Sequence, residues 1–218
     1  RPGNQAARPK TGGGGTAIDM VVGRNPVFEA LQAGIPIKSA YVYEAAERDD
    51  RLRDILKWCA QHSVPLLQVT RLELDRMTGG AVHQGVALRL PAFEYADPQD
   101  LLADALQDGE HQALVVALDS ITDPHNLGAI IRSAAAFGAH GVIIPERRSA
   151  SMTAAAWKSS AGAAARLPVA MCKNLNRTLE DYAKAGYPII GLAGEGDVDI
   201  SGVPGVNGPV LVVVGSEG

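Results

Sequence analysis

The stretch Leu118 to Gly138, LDSITDPHNLGAIIRSAAAFG, places an amide, a glycine and a guanidinium at spacings that could serve one reaction centre. Asn126 stands where a helix N-cap is expected, just before the apolar residues Leu127, Ile130, Ile131 and Ala134 that form a buried stripe. Arg132 follows Ile131 by one residue, about 100° of helix rotation, and so leaves the centre of that stripe. Gly128 precedes Arg132 by one turn on the same face, and a residue without a side chain there leaves room for something to approach the helix. An arginine is a poor base, because it stays protonated to a pKa above about 12. Its natural chemistry is to grip a phosphate and to stabilise a developing oxyanion. The plain alternative is a capped helix with a solvated arginine, and periodicity alone favours it.

A second stretch, Val210 to Gly218 (VLVVVGSEG), runs a buried strand into Gly215-Ser216-Glu217-Gly218, where glycines permit tight turns and close ligand contact. A third, His83-Gln84-Gly85-Val86, holds a lone histidine before a strand, which reads as a turn residue or a satisfied surface group with no catalytic part. The familiar phosphate cradles are absent. No G-x-G-x-x-G follows the first strand of the second half, where Asp119 to Asn126 stand instead, and no G-x-x-x-x-G-K-[ST] occurs. The glycines 191, 194 and 196 follow a late strand at the wrong spacing, so a dinucleotide or P-loop enzyme is disfavoured.

These stretches need a frame. Residues 112–218 alternate strand and helix: strand 113–118, helix 127–137, strand 141–144, helix 152–161, strand 167–171, helix 175–185, then strands 188–193 and 209–214. Near-continuous Val, Ile and Leu runs are those of strands buried on both faces, which predicts an α/β unit with a parallel sheet. Ligands of such sheets sit beyond the carboxyl ends of strands, so the loops after Leu118, Ile144, Ala193 and Val214 are the places to look. Residues 17–90 read as a small α/β domain, with helices at 27–34, 49–61 and 72–77 and strands at 40–43, 65–69 and 86–90. Residues 91–111, with Pro91, Pro98 and an acidic helix from Pro98 to Gln107, read as the linker and the start of the second domain. Residues 1–16, with four consecutive glycines and three basic residues, read as a flexible basic tail.

The net charge of -4 argues against a protein wrapped in nucleic acid by bulk charge. The distribution is uneven. Six acids and no Lys or Arg lie between Asp97 and Asp119, whereas seven Lys or Arg against three acids lie between His140 and Lys184. A local basic region within an acidic chain fits a selective phosphate-binding face, or simply a solvated surface. Cys59 and Cys172 are too few for a metal site and suggest no disulfide framework. No apolar run reaches the ~18–20 residues of a membrane span and no signal-peptide core is visible, so a cytoplasmic location is expected.

N-L-G-A-I-I-R-S-A-A-A-F-G (126–138) resembles the first signature of the SpoU RNA methyltransferases, and V-V-V-G-S-E-G (212–218) resembles the second. G-R-N-P-V-F-E-A-L (23–31) and H-Q-G-V (83–86) resemble the small ribosomal-protein-like domain that precedes the catalytic domain in the ribosomal-RNA guanosine branch. The resemblance spans residues 18–218. It implies an α/β-knot catalytic domain behind a small RNA-binding domain, S-adenosylmethionine as methyl donor, no metal, and a homodimer. It implies transfer of a methyl group to a ribose 2'-hydroxyl of structured RNA, most readily a guanosine of large-subunit ribosomal RNA. Transfer RNA, a resistance-type ribosomal site, or a non-catalytic RNA-binding protein with a degenerate catalytic domain are the alternatives.

The motif residues carry over as Asn126, Arg132 and Glu217 at the catalytic centre, with Arg132 as the base itself or as the stabiliser of the oxyanion, and Gly215 at the cofactor loop; Leu192, Ala193 and Gly194 on the neighbouring loop are further cofactor candidates. Arg147, Arg148, Lys158 and Arg24 are the RNA-binding candidates. Phosphate contacts of this kind position a substrate and do not specify it. The family's third signature, a serine and asparagine cluster, is absent, and the apolar strand 210–214 should be followed by something that covers it. The expectation is therefore a chain that stops short of closing its knot and its cofactor pocket.

Overall fold

The computed structural model describes residues 20–47, 49–107, 112–193, 196, 199 and 208–215. Two sheets organise them. The first runs β1 (Met20–Val22), β4 (Val86–Arg89), β2 (Ser39–Tyr43), β3 (Leu66–Val69), with α1 (Arg24–Gln32), α2 (Asp50–Gln61) and α3 (Arg71–Met77) connecting the strands. β4 is antiparallel to both β1 and β2, and β2 is parallel to β3. β1 was not foreseen. Three residues with a single buried side chain are too short for periodicity to register, and the strand exists only because Met20, Val21 and Val22 pair with Arg89, Leu88 and Ala87. Val27, Leu31, Leu52, Ile55, Val86 and Leu88 close a core beneath this sheet.

The second sheet is wholly parallel, in the order β7 (Val169–Cys172), β6 (Gly141–Pro145), β5 (Leu114–Asp119), β9 (Val210–Gly215), β8 (Ile189–Leu192). Side-chain alternation splits its core in two. Val116, Leu118, Val142 and Ile144 face α5 (Pro124–Ala136) and α6 (Ala154–Ser159). Val115, Ala117, Ile143 and Leu211 face α4 (Pro98–Gln107) and α7 (Leu175–Lys184). Two covered faces are why these strands read as unbroken apolar runs. α4 belongs to this layer: Leu101, Leu102 and Ala105 are buried, and the Tyr182 hydroxyl donates to the Pro98 carbonyl at 2.8 Å. Before α4, Ala96 makes a lone parallel bridge with Ala170 on the outer strand.

Three local readings are corrected. Asn126 is not the N-cap of α5. Asp123 is, its carboxylate accepting from His125 N at 2.9 Å, with Pro124 at the first helical turn where its missing N–H costs nothing. The helix expected over 152–161 stops at Ser159, after which Gly162 (φ 83°) leads into a short 3-10 turn, Ala163–Ala165. The space left by Gly128 belongs to α6. A Cβ there would overlap the Ala156 carbonyl oxygen and stand 2.9 Å from Ser160 N. The glycine lets two helices cross closely; it does not open the helix to a ligand. Gly128→Ala should therefore destabilise the protein by about 1–3 kcal/mol through overpacking, read as a lowered midpoint in denaturant at unchanged slope. A midpoint equal to wild type would show that α6 can simply move away.

Candidate active site

The order of the parallel sheet reverses beside β5. The chain leaves β5 for β6 and β7 on one side, and returns by β8 and β9 on the other. A crevice at such a reversal is where open α/β sheets take ligands. Here α5 covers β5, but no described helix lies over the same face of β9 and β8. Val212 and Val214, pointing to that face, are half-buried, and Leu192 is 44% exposed. The result is a cleft of about 920 Å³ bounded by Val212, Val214 and Gly215 of β9, Leu192 of β8, the loop Ser120–Asp123 and the flank of α5.

Of the residues expected to act, the cleft gathers Asn126, Leu192 and Gly215. Asn126 reaches it because α5 begins at Pro124, which puts the amide in the first turn on the side of Ile130 and Ser133. Ala193 follows Leu192 and is exposed. Gly194 and Glu217 lie outside the described residues. Arg132 is exposed on α5 and is not among the residues that line the cleft. By helical rotation it projects some 120° away from Asn126, on the face that carries His125. His125 Nδ1 lies 3.1 Å from the Ser159 hydroxyl of α6. Sequence reasoning passed over Ser120, Thr122 and Asp123, three polar residues of the wall. Their signal was present, since they fill the loop after the first strand of this sheet, but nothing in their spacing distinguishes a wall from a turn.

The four basic candidates separate. Arg147 and Arg148 are exposed in the loop after β6, at the same edge of the sheet as the cleft, and Arg148 adopts a left-handed φ of 58°. Lys158 of α6 is paired instead with the Glu29 carboxylate of α1, across the two domains. Arg24 is held at the start of α1: its guanidinium donates to Asp49, to the Glu47 carbonyl at 2.9 Å and to the Gln84 carbonyl at 3.0 Å. That engagement makes Arg24 a clasp between loops. His83 is also structural and, contrary to expectation, buried. Its Nδ1 accepts from Gly85 N at 2.9 Å, which leaves Nε2 to donate to Asp75 at 2.9 Å. The two thiols are inert, since burial pushes both Cys59 and Cys172 up. Among the described residues no cluster of metal ligands occurs, and no helix is long and apolar enough to cross a membrane.

The Lys158 pair has a pH signature. A hydrogen bond from Lys158, and next its charge, hold the Glu29 carboxyl below the ordinary carboxylate value. A depressed folded value means that the pair contributes fully above the ordinary value and is lost as pH falls through the depressed one. In a carboxyl-detected NMR titration, Lys158→Ala should move the Glu29 midpoint upward, towards that of a free glutamate. An unmoved midpoint would break the pairing.

Comparison with known proteins follows this division. Residues 113–218 match the model described as the SpoU rRNA methylase family, and residues 20–96 match the model for RNA 2'-O ribose methyltransferase substrate binding. A protein named as an uncharacterised tRNA/rRNA methyltransferase from Mycobacterium sp. (strain KMS) is 54% identical over 200 residues, covering 92% of this chain. One of the same name from Mycolicibacterium gilvum is 53% identical, again over 92% of this chain. The chain spans 63% of the length of each. Among solved structures, the SpoU methyltransferase AviRb from Streptomyces viridochromogenes, bound to AdoMet, aligns with a TM-score of 0.50 at 24% identity, over 91% of this chain and 73% of that one. An AdoMet-bound rRNA methyltransferase from Sinorhizobium meliloti aligns with a TM-score of 0.51 at 22% identity, over 89% and 69%. At these identities the likeness is one of fold.

Proposed function

The chain belongs to the SpoU methylase family, and from that premise we propose that it serves an enzyme that transfers a methyl group from S-adenosylmethionine to a ribose 2'-hydroxyl of structured RNA. The observation that carries the reading is the convergence of Asn126, Leu192 and Gly215 on one cleft at the point where the strand order reverses. The cleft fits the donor. At about 920 Å³ it lies within the ~300–1,000 Å³ of small-molecule sites, and its walls combine apolar Ile121, Ile130, Val212 and Val214 with polar Ser120, Thr122, Asp123 and Asn126. A Cβ added at Gly215 would meet nothing within 4 Å, so the backbone there is open to close approach. When bound, S-adenosylmethionine supplies an electrophilic methyl group on a sulfonium.

The rest falls to the chain's own residues. Asn126 orients the ribose by hydrogen bonds from its side-chain amide. Arg132, permanently charged and on the face of α5 turned away from Asn126, would hold the neighbouring phosphate and stabilise the 2'-oxygen as it takes the methyl group, the thioether leaving and the hydroxyl proton passing to solvent water. Glu217 and Gly194 are assigned to the cofactor site by the resemblance alone, Glu217 to hold the loop after β9. Arg147 and Arg148 take flanking phosphates, and the domain of residues 20–96 reads folded RNA by shape and unpaired bases. A guanosine of large-subunit ribosomal RNA is the target we favour, on the resemblance of the small domain. A knotted C-terminal segment, a homodimer and a cytoplasmic setting belong to the same proposal. Phe137, 81% exposed at the end of α5 beside the cleft, is apolar surface that a partner copy would cover.

In the full-length protein, Arg132→Ala should lower methylation of ribosomal RNA at least 100-fold, the loss expected for one oxyanion-stabilising donor, with an unchanged melting temperature. Activity within a few-fold of wild type would remove Arg132 from the centre. Calorimetric titration tests the cleft. S-adenosylmethionine should bind, and Val214→Trp should weaken it at least tenfold by filling the wall; equal affinity in the two proteins would move the donor elsewhere.

A further inference from the structure

A second cavity, of about 510 Å³, lies between the two domains. Met20 of β1 and Met77 at the end of α3 form one wall, Phe93 of the crossing segment forms another, and Thr78, Thr153 and Arg89 supply its polar groups. Among the described residues that line it, Arg89 is the one charged side chain. The seam around the cavity is braced. Phe93 packs edge-on to Tyr95 at 4.8 Å and to Trp157 at 5.5 Å between ring centroids. The Tyr95 hydroxyl accepts from Met152 N at 2.9 Å, and Trp157 packs against the cores of both domains. The cavity therefore belongs to a fixed arrangement of the domains.

Its position ties it to the candidate active site. The segment that supplies Thr153 begins at Ala150, whose N–H donates to the Ile121 carbonyl at 2.7 Å, and Ile121 lines the cleft beside β9. The cleft and the cavity are thus joined through one backbone hydrogen bond. Flat apolar and sulfur-bearing walls suit the face of a base, hydroxyls suit its edge, and a guanidinium suits a phosphate. Those three features together favour a nucleotide over an apolar peptide, which would have no use for the guanidinium.

We propose that the interdomain cavity holds one unpaired nucleotide of the RNA substrate, its base between Met77 and Phe93 and its phosphate on Arg89. The proposal rests on the chain acting on RNA, and it is independent of which residues perform the transfer. The probe is a single-stranded RNA octamer carrying 2-aminopurine, compared with the same octamer annealed to its complement, bound to the full chain between ~50 and ~200 mM salt. Wild type should bind the single strand at least tenfold more tightly than the duplex and should alter the 2-aminopurine emission. Arg89→Gln should weaken single-strand binding about tenfold and reduce the salt slope by about one, as for one lost phosphate contact. Thr78→Trp, which fills the cavity from the surface turn after α3, should abolish the emission change. Thermal melts confirm that both variants fold. Equal binding of single strand and duplex, undetectable binding, or affinity and emission unmoved by both substitutions would each overturn the proposal. Calorimetry with S-adenosylmethionine on the same proteins separates the two readings. RNA binding that depends on Arg89 without donor binding would leave this inference standing and remove the methyl-transfer one.

Discussion

β9 lies in register against β5 over six residue pairs, from Leu114 with Val210 to Asp119 with Gly215. That pairing is the constraint on which the candidate site depends. It brings Gly215 level with Asp119, so that the carboxyl ends of two strands from distant parts of the chain share one rim. It also turns Val212 and Val214 towards the flank of α5, where they bound a cleft. Hydrogen bonds along a parallel ladder leave little freedom of register where both faces carry apolar side chains, because a slip of one residue would exchange the two cores. Val213 and Leu211 face α4 and α7, and they could not be traded for Val212 and Val214 without undoing that layer.

The close crossing of α5 and α6 has the second largest consequence. Gly128 lets α6 approach until its Ala156 carbonyl occupies the place of a side chain. The same approach brings Ser159 to His125, and it sets Trp157 and Lys158 against the first domain. One missing side chain in the second domain thus helps to fix how the first domain sits. The Lys158–Glu29 pair is half-exposed and adds little by itself. Trp157, shared between two apolar cores, is the stronger tie.

Charge is arranged to match. The acids of α4 lie on the side of the sheet away from α5, while Arg147 and Arg148 follow β6 at its carboxyl edge. A chain with net charge -4 can in this way present cations at one rim. Arg24 and Lys158 are engaged within the protein, and only their surroundings reveal it.

The sequence by itself determined the alternation of strands and helices, because the 3.6-residue and continuous apolar patterns are local and each element is long enough to carry one. It also determined the family, because two signatures stand in order on elements that a parallel sheet places together. Asn126 and Gly215, which line the cleft, lie within those signatures. Tertiary structure decided the rest. β1 is a strand only through its partner, so three residues could not announce it. Gly128 read as space for a ligand, since a sequence shows a missing side chain and not what fills the gap. Lys158 and Arg24 read as free cations because their partners, Glu29 and Asp49, stand 129 and 25 residues away. Ser120 and Thr122 became walls, and His83 a buried brace, only when strands brought other segments beside them. Periodicity reports which face of an element is apolar; which neighbour meets that face is settled by long-range packing.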